Sequence, residues 1–229
     1  MKQRTNSRFL RPGFLIQHFA RVYVILALLF PAIGLTQTTQ ALESFDQSSP
    51  RSAARKLSVA VERGNVQPMR DVLLAEKPLE QRVIDLLCDL ADASRAVREA
   101  SEKLFGEDAG GAMTGDTDAF SQIALRVDDS LERITDESAV LTDGAGEELT
   151  LKLVDGLWRV PVNQIIGEVD DDVLTSFLDE GTTQVELLRE LARELDEGKF
   201  RSAQEAEQVM HARMMRGTTQ PAVAPPANP

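Results

Sequence analysis

The dipeptide Asp155-Gly156 lies between two alternating runs, "LKLV" and "LWRV", and constrains the fold more than any other feature of the chain. A two-residue hairpin loop that matches strand twist needs positive φ at both central residues, which Asp-Gly adopts with little strain. Once the turn is fixed, the register follows. Leu153 falls opposite Trp158 and Leu151 opposite Val160 on one face, while Lys152 and Arg159 pair on the other, beside Val154 and Leu157. One face is wholly apolar and the other mixed, as in a sheet with a single side on a core. Upstream, "ERIT", "SAVLT" and "EELTLKLV" alternate in the same way, separated by "DE" and "DGAG". With "LWRVPV" they predict a meander of short antiparallel strands.

Helical periodicity brackets this meander. Ser49 as N-cap and Pro50 at the first helical position open a helix with Ala53, Leu57, Ala60 and Val61 on one face, and Gly64 closes it. Asn65 is placed to cap a second, short helix through "VQPMRDVLLA", which carries Met69, Val72 and Leu73 before Pro78 stops it. From Leu79 to Phe105, Leu79, Val83, Leu86, Leu90, Ser94, Val97, Ser101 and Leu104 follow in steps of three or four. That stripe predicts a helix of ~40 Å with one side on a core and a charged side in water. "GEDAGGAMTGDTDA", 106–119, reads as a loop. Past Pro161, Asp170 to Asp172 open "VLTSFLDEG", and Thr182 or Thr183 opens a separate helix, "QVELLRELARELDEG", with Val185, Leu188, Leu191, Ala192 and Leu195 in a stripe. Ser202 and Glu205 make a capping box for a last helix.

The ends differ from the middle. Lys2, Arg4, Arg8, Arg11 and Arg21 precede any acid, an apolar run follows from Val22 to Leu35, and Thr39 and Ala41 offer small residues for cleavage after Ala41. The run is short for a bilayer span, which needs ~20 residues, so residues 1–41 read as a signal peptide or an N-terminal anchor. Residues 42–48 then form a linker, 49–167 an α+β domain, 168–216 a helical extension and 217–229 a disordered Pro/Ala tail. The expected location is the periplasm or the extracellular space, with an inner-membrane anchor as the variant. Without the first 41 residues, 37 acids face 20 bases and the net charge falls from −12 to −17. Such a surface repels phosphate backbones and anionic lipid, so no nucleic-acid partner and no peripheral membrane docking is expected of the mature domain.

Catalytic residue types are scarce. The sole tyrosine, Tyr23, and His18 lie in the export segment, leaving His211 near the C-terminus as the only later histidine. A triad would have to use it, and one Cys with one His cannot build a zinc site. Cys88 sits in the helical pattern "VIDLLCDLADA" beside Asp85, Asp89 and Asp92, which suits a buried, inert thiol. Glu168, Asp170, Asp171 and Asp172, or Glu107, Asp108, Asp116 and Asp118, could offer oxygens to Ca²⁺. Neither set has the spacing of a calcium loop, and the first fits a helix N-terminus better. No cofactor is expected, and "GEDAGG" lacks the Lys of a phosphate loop.

"ARKLSVAVERGNVQPMRDVLL" and "ESAVLTDGAGEELTLKLVDGLWRV" together resemble the nuclear-transport-factor-2-like (cystatin-like, α+β cone) superfamily over roughly 50–165. The resemblance implies helices against the concave face of a curved antiparallel sheet, and a possible pocket between them. The expected architecture is therefore α+β: N-terminal helices packed on a curved antiparallel β-meander, followed by a helical C-terminal extension. The expected function is an exported, acidic, non-enzymatic domain that binds a protein or a small apolar ligand, or acts structurally. The alternative is a small pocket enzyme of isomerase, dehydratase or hydrolase type with a buried Asp or Glu as base. Trp158, Leu153, Leu151 and Val160 are the ligand-pocket candidates, and the same four would equally serve as core. Oligomerisation through the helices stays open.

Overall fold

The computed structural model describes residues 46–107, 109, 127–167 and 169–217. Within them the chain is α+β, with a curved, unclosed five-stranded sheet and a helical C-terminal part. Helix α1 (Pro50–Arg63) and helix α2 (Val66–Val72) lead into strand β1 (Leu73–Leu74) and the long helix α3 (Pro78–Phe105). The meander follows as β2 (Leu131–Thr135), β3 (Ser138–Thr142), β4 (Glu148–Val154) and β5 (Leu157–Pro161). A single turn, α4 (Asn163–Ile166), then leads to α5 (Asp171–Asp196) and α6 (Ala203–Gly217). Residues 1–41, expected to be a signal peptide or anchor, residues 42–45, most of the stretch 106–119 expected to be a loop, residues 120–126, Glu168 and the expected tail beyond Gly217 lie outside the described residues.

The hairpin register is as expected. Leu153 pairs with Trp158 and Lys152 with Arg159, and Asp155 and Gly156 take φ of 52° and 77°. Strand order is β1-β5-β4-β3-β2. Ala139, Leu141, Leu151, Trp158 and Val160 are buried on the inner face, where α1 packs on β3 and β5 and α2 on β5. Ser49 caps α1 as expected, accepting from the Ser52 N–H at 3.2 Å, and Gly64 closes it in the left-handed region at φ 65°.

Four expectations need correction. The second helix does not run through Leu73 and Leu74. Those residues pair in parallel with Val160 and Pro161, and the Leu74 carbonyl accepts from the Val162 N–H at 2.9 Å. The open edge of β5 satisfies their backbone, and this tertiary pairing outweighs helical propensity.

The second correction concerns the break at Gly181-Thr182-Thr183, where one continuous helix, α5, replaces two. Neither threonine caps. Each hydroxyl instead donates to the carbonyl four residues back, Thr182 to Leu178 at 2.7 Å and Thr183 to Asp179 at 3.2 Å. Gly181 is retained inside the helix because a Cβ there would stand 2.4 Å from Leu86 Cδ2.

Third, the buried face of α3 is broader than a single stripe along its first half: Ile84, Leu87, Cys88 and Ala91 are buried as well as Val83, Leu86 and Leu90, while Arg82, Asp89 and the half-buried Asp85 keep the expected charged strip in water. One side meets α2 and the other meets α5. The pairs Leu86 with Gly181, Asp89 with Arg189 and Lys103 with Asp196 ascend together, so α3 and α5 run in the same direction. Helix α6 folds back on α5, with Arg213 in a two-pronged ion pair to Glu194 at 2.9 and 3.2 Å.

Fourth, Gln47, in the segment read as linker, is buried and built into the fold. Its carbonyl accepts from the Trp158 N–H and its Nε2 donates to the Trp158 carbonyl, both at 3.0 Å. The same Nε2 donates to the Asp71 carbonyl, and its Oε1 accepts from Lys56. One side chain thus ties the chain entry, α1, α2 and β5 together.

Candidate functional site

The four pocket candidates belong to the packed interior. Leu151 and Val160 are wholly buried, Trp158 is 6% exposed and Leu153 is half-buried against the same core. Val160 is additionally covered along its edge by Leu73. Alternation places them on one face as the hairpin pattern requires, but α1 and α2 occupy the space in front of them. Their chemistry is the burial of apolar area, worth ~1.5–3 kcal/mol for each large side chain.

A pocket enzyme would need a buried carboxylate free to take a proton. Among the described residues Glu80 is the one buried acid, at 3% exposure. Its Oε2 accepts from the Glu76 N–H at 2.6 Å and the Lys77 N–H at 3.2 Å, closing the start of α3. That carboxylate is a helix cap, satisfying donors the first turn leaves open. Cys88 is equally occupied with structure: burial raises its thiol to about 11, and its Sγ lies 3.9 Å from the Val66 carbonyl. A thiol so held has almost no thiolate at neutral pH. His211 is exposed on α6. Asp171 and Asp172 lie in the first turn of α5, with Asp170 at its N-cap. Among the described residues no three His, Cys, Asp or Glu side chains are grouped to hold a metal ion.

Accessible chemistry is found on the outer face of the sheet. Register places Arg133 on β2, Lys152 on β4 and Arg159 on β5 together on that face, with Leu131 and Leu157. Lys152 and Arg159 are direct cross-strand partners, a like-charge pair that is unfavourable unless an anion is near. Glu76 pairs with Lys152. The Nε of Arg159 is buried with no hydrogen-bond partner, which costs about 1–3 kcal/mol. Arg133 makes no ion pair with a described residue, and Leu131 and Ile134 on the same strand are 78% and 56% exposed. The hairpin register alone places Lys152 and Arg159 on the mixed face, whereas "ERIT" is predicted as a strand with no functional residue on it. The signal of β2 was an edge-strand sequence, "LERIT", with large apolar residues at both parities.

No protein-family model, curated protein or solved structure matches the chain.

Proposed function

We propose that the chain is an exported domain that binds a protein partner and carries out no chemistry of its own. The observation that carries this reading is the use made of Glu80. The one buried acid among the described residues is committed to two backbone N–H groups, where a pocket enzyme would need it as a base. Trp158, Leu151 and Val160, filled in as core, support the same view. The basic N-terminal stretch with its apolar run and small residues before Leu42 supports export. The resemblance to the nuclear-transport-factor-2-like superfamily stands as part of the proposal, supported by two N-terminal helices, a long third helix and an unclosed curved meander.

A photo-crosslinking residue placed in the full chain at Arg133, at Thr150 or at His211 tests the binding reading in the cells that make the protein. A discrete protein adduct from at least one site is expected. A chain that stays free from all three positions would sink it. Alkaline phosphatase fused after Gly217 tests export separately, since that reporter is active only outside the cytoplasm.

A further inference from the structure

Strand β2 stands at the end of the sheet, and all five of its residues are exposed. Among the described residues nothing pairs with its outer side. Thr135 and Ser138 close a two-residue loop, so Leu131, Arg133 and Thr135 exchange ladder bonds with β3. The N–H and C=O groups of Glu132 and Ile134 therefore point to the free edge. Two donors and two acceptors are presented there, flanked by an exposed leucine on the outer face and an exposed isoleucine on the inner face. Arg133 sits at the centre with its charge uncommitted, on the face that also carries Lys152 and Arg159.

From this arrangement, and resting on the binding function proposed above, we infer that the β2 edge takes an added strand from a partner protein, an extended segment with a carboxylate opposite Arg133. The register dictates the rest of its chemistry. In antiparallel pairing the residue before the acid meets Ile134 and should be apolar. The residue after it meets Glu132 and is neutral or basic. The next meets Leu131 and is apolar. The partner motif is therefore apolar, acidic, neutral or basic, apolar, with main-chain hydrogen bonds supplying affinity and the side chains supplying choice. A second copy of the chain is a poor occupant. The symmetric register that uses both free residues pairs Glu132 with Ile134 of the other copy and sets the two Arg133 side chains face to face, at the close spacing of a non-hydrogen-bonded pair.

A fluorescein-labelled peptide, Thr-Lys-Val-Glu-Thr-Val-Lys-Thr, supplies that pattern, and anisotropy with the full chain reads its binding. Saturable binding is expected to weaken at least tenfold in Arg133→Glu and to return when the peptide's Glu is exchanged for Lys. Arg133 is exposed, so the variant should melt like the parent. Equal binding by parent and variant, no binding up to about 1 mM, the weakest range of specific affinity, or no recovery in the charge-swapped pair would each overturn the inference. Sedimentation showing a parental dimer that Arg133→Glu dissolves would assign the edge to a second copy instead. Crosslinks formed from His211 but never from Arg133 would leave the binding function standing and remove this site from it.

Discussion

Replacing Gly181 by alanine sets two helical effects against each other, and the structure says which wins. Alanine in a helix interior is worth about 0.5–1 kcal/mol more than glycine. Here the new methyl carbon would stand 2.4 Å from Leu86 Cδ2 and 3.1 Å from both Cδ1 and Cγ. Because Cγ is involved, turning the leucine tip does not clear the clash. Leu86 is 6% exposed and hemmed in by the core, so the parallel helices α3 and α5 must spread. Such overpacking costs about 1–3 kcal/mol, and the net loss expected for Gly181→Ala is about 0.5–2 kcal/mol. Urea unfolding of the parent, Gly181→Ala, Leu86→Ala and the double variant isolates the cause. Leu86→Ala alone should cost about 2–5 kcal/mol. On that background the alanine at 181 meets open space, so its effect should change sign and become stabilising. A coupling of about 1–3 kcal/mol between the two sites follows. Gly181→Ala stabilising the parent, with the two changes additive, would refute the close-approach reasoning.

Further outcomes follow from the same core. Trp158→Ala should cost about 3–5 kcal/mol by denaturant unfolding, and a variant that melts with the parent would return Trp158 to the list of ligand contacts. Glu80→Ala, which strips the cap from α3, should lose about 0.5–2 kcal/mol, while Glu80→Gln keeps an acceptor oxygen and should lose less; equal losses would mean that the carboxylate acts by charge. The Cys88 thiol is raised by burial from 9.0 to about 11. The folded state thus holds this proton more tightly than the unfolded chain, and the associated stability is intact below pH 9 and lost as pH climbs toward 11. Comparison of parent and Cys88→Ala across that window should show a steeper alkaline decline in the parent, and parallel curves would mean that the thiol is solvated.

Legibility followed the range of the interactions. The β4–β5 hairpin was readable because a positive-φ dipeptide and two alternating runs determine it locally. Ser49, Gly64 and the Ser202–Glu205 pair were readable for the same reason, and the Ser202 hydroxyl does accept from the Glu205 N–H at 3.2 Å. Leu73 and Leu74 were not, because their extended conformation depends on an edge supplied by residues nearly ninety positions later. Gly181 misled for a related reason. Glycine before two threonines is an ordinary stop signal, and only the approach of Leu86 from another helix explains its place inside α5. Of the candidate site, burial was legible and its use was not: Trp158 was correctly placed on the core-facing stripe, whereas the open chemistry of β2 depends on its being last in the sheet.

That position makes the two sheet edges informative together. The β5 edge is closed by two devices: the Leu73–Leu74 strand, whose pairing continues to the Val162 N–H on the Leu74 carbonyl, and Gln47, whose carbonyl and side chain meet both backbone groups of Trp158. An edge that must merely be silent is usually blunted by proline, lysine, a bulge or a covering segment. Among the described residues β2 has no proline, lysine, bulge or covering segment; its charges are Arg133 on the outer face and Glu132 on the inner face beside Arg51, and it adds two exposed aliphatic side chains to the ladder. Leaving it so invites pairing, and the single cation at its centre decides with what. A guanidinium there repels its own copy and attracts a carboxylate, so under the proposed strand addition one residue both opposes self-pairing and selects the partner. Arg133→Val should therefore lose the acidic peptide and gain a dimer at once. A variant that loses the peptide yet stays monomeric at concentrations of about 100 µM, ample for a specific interface, would separate those two roles and leave only the first.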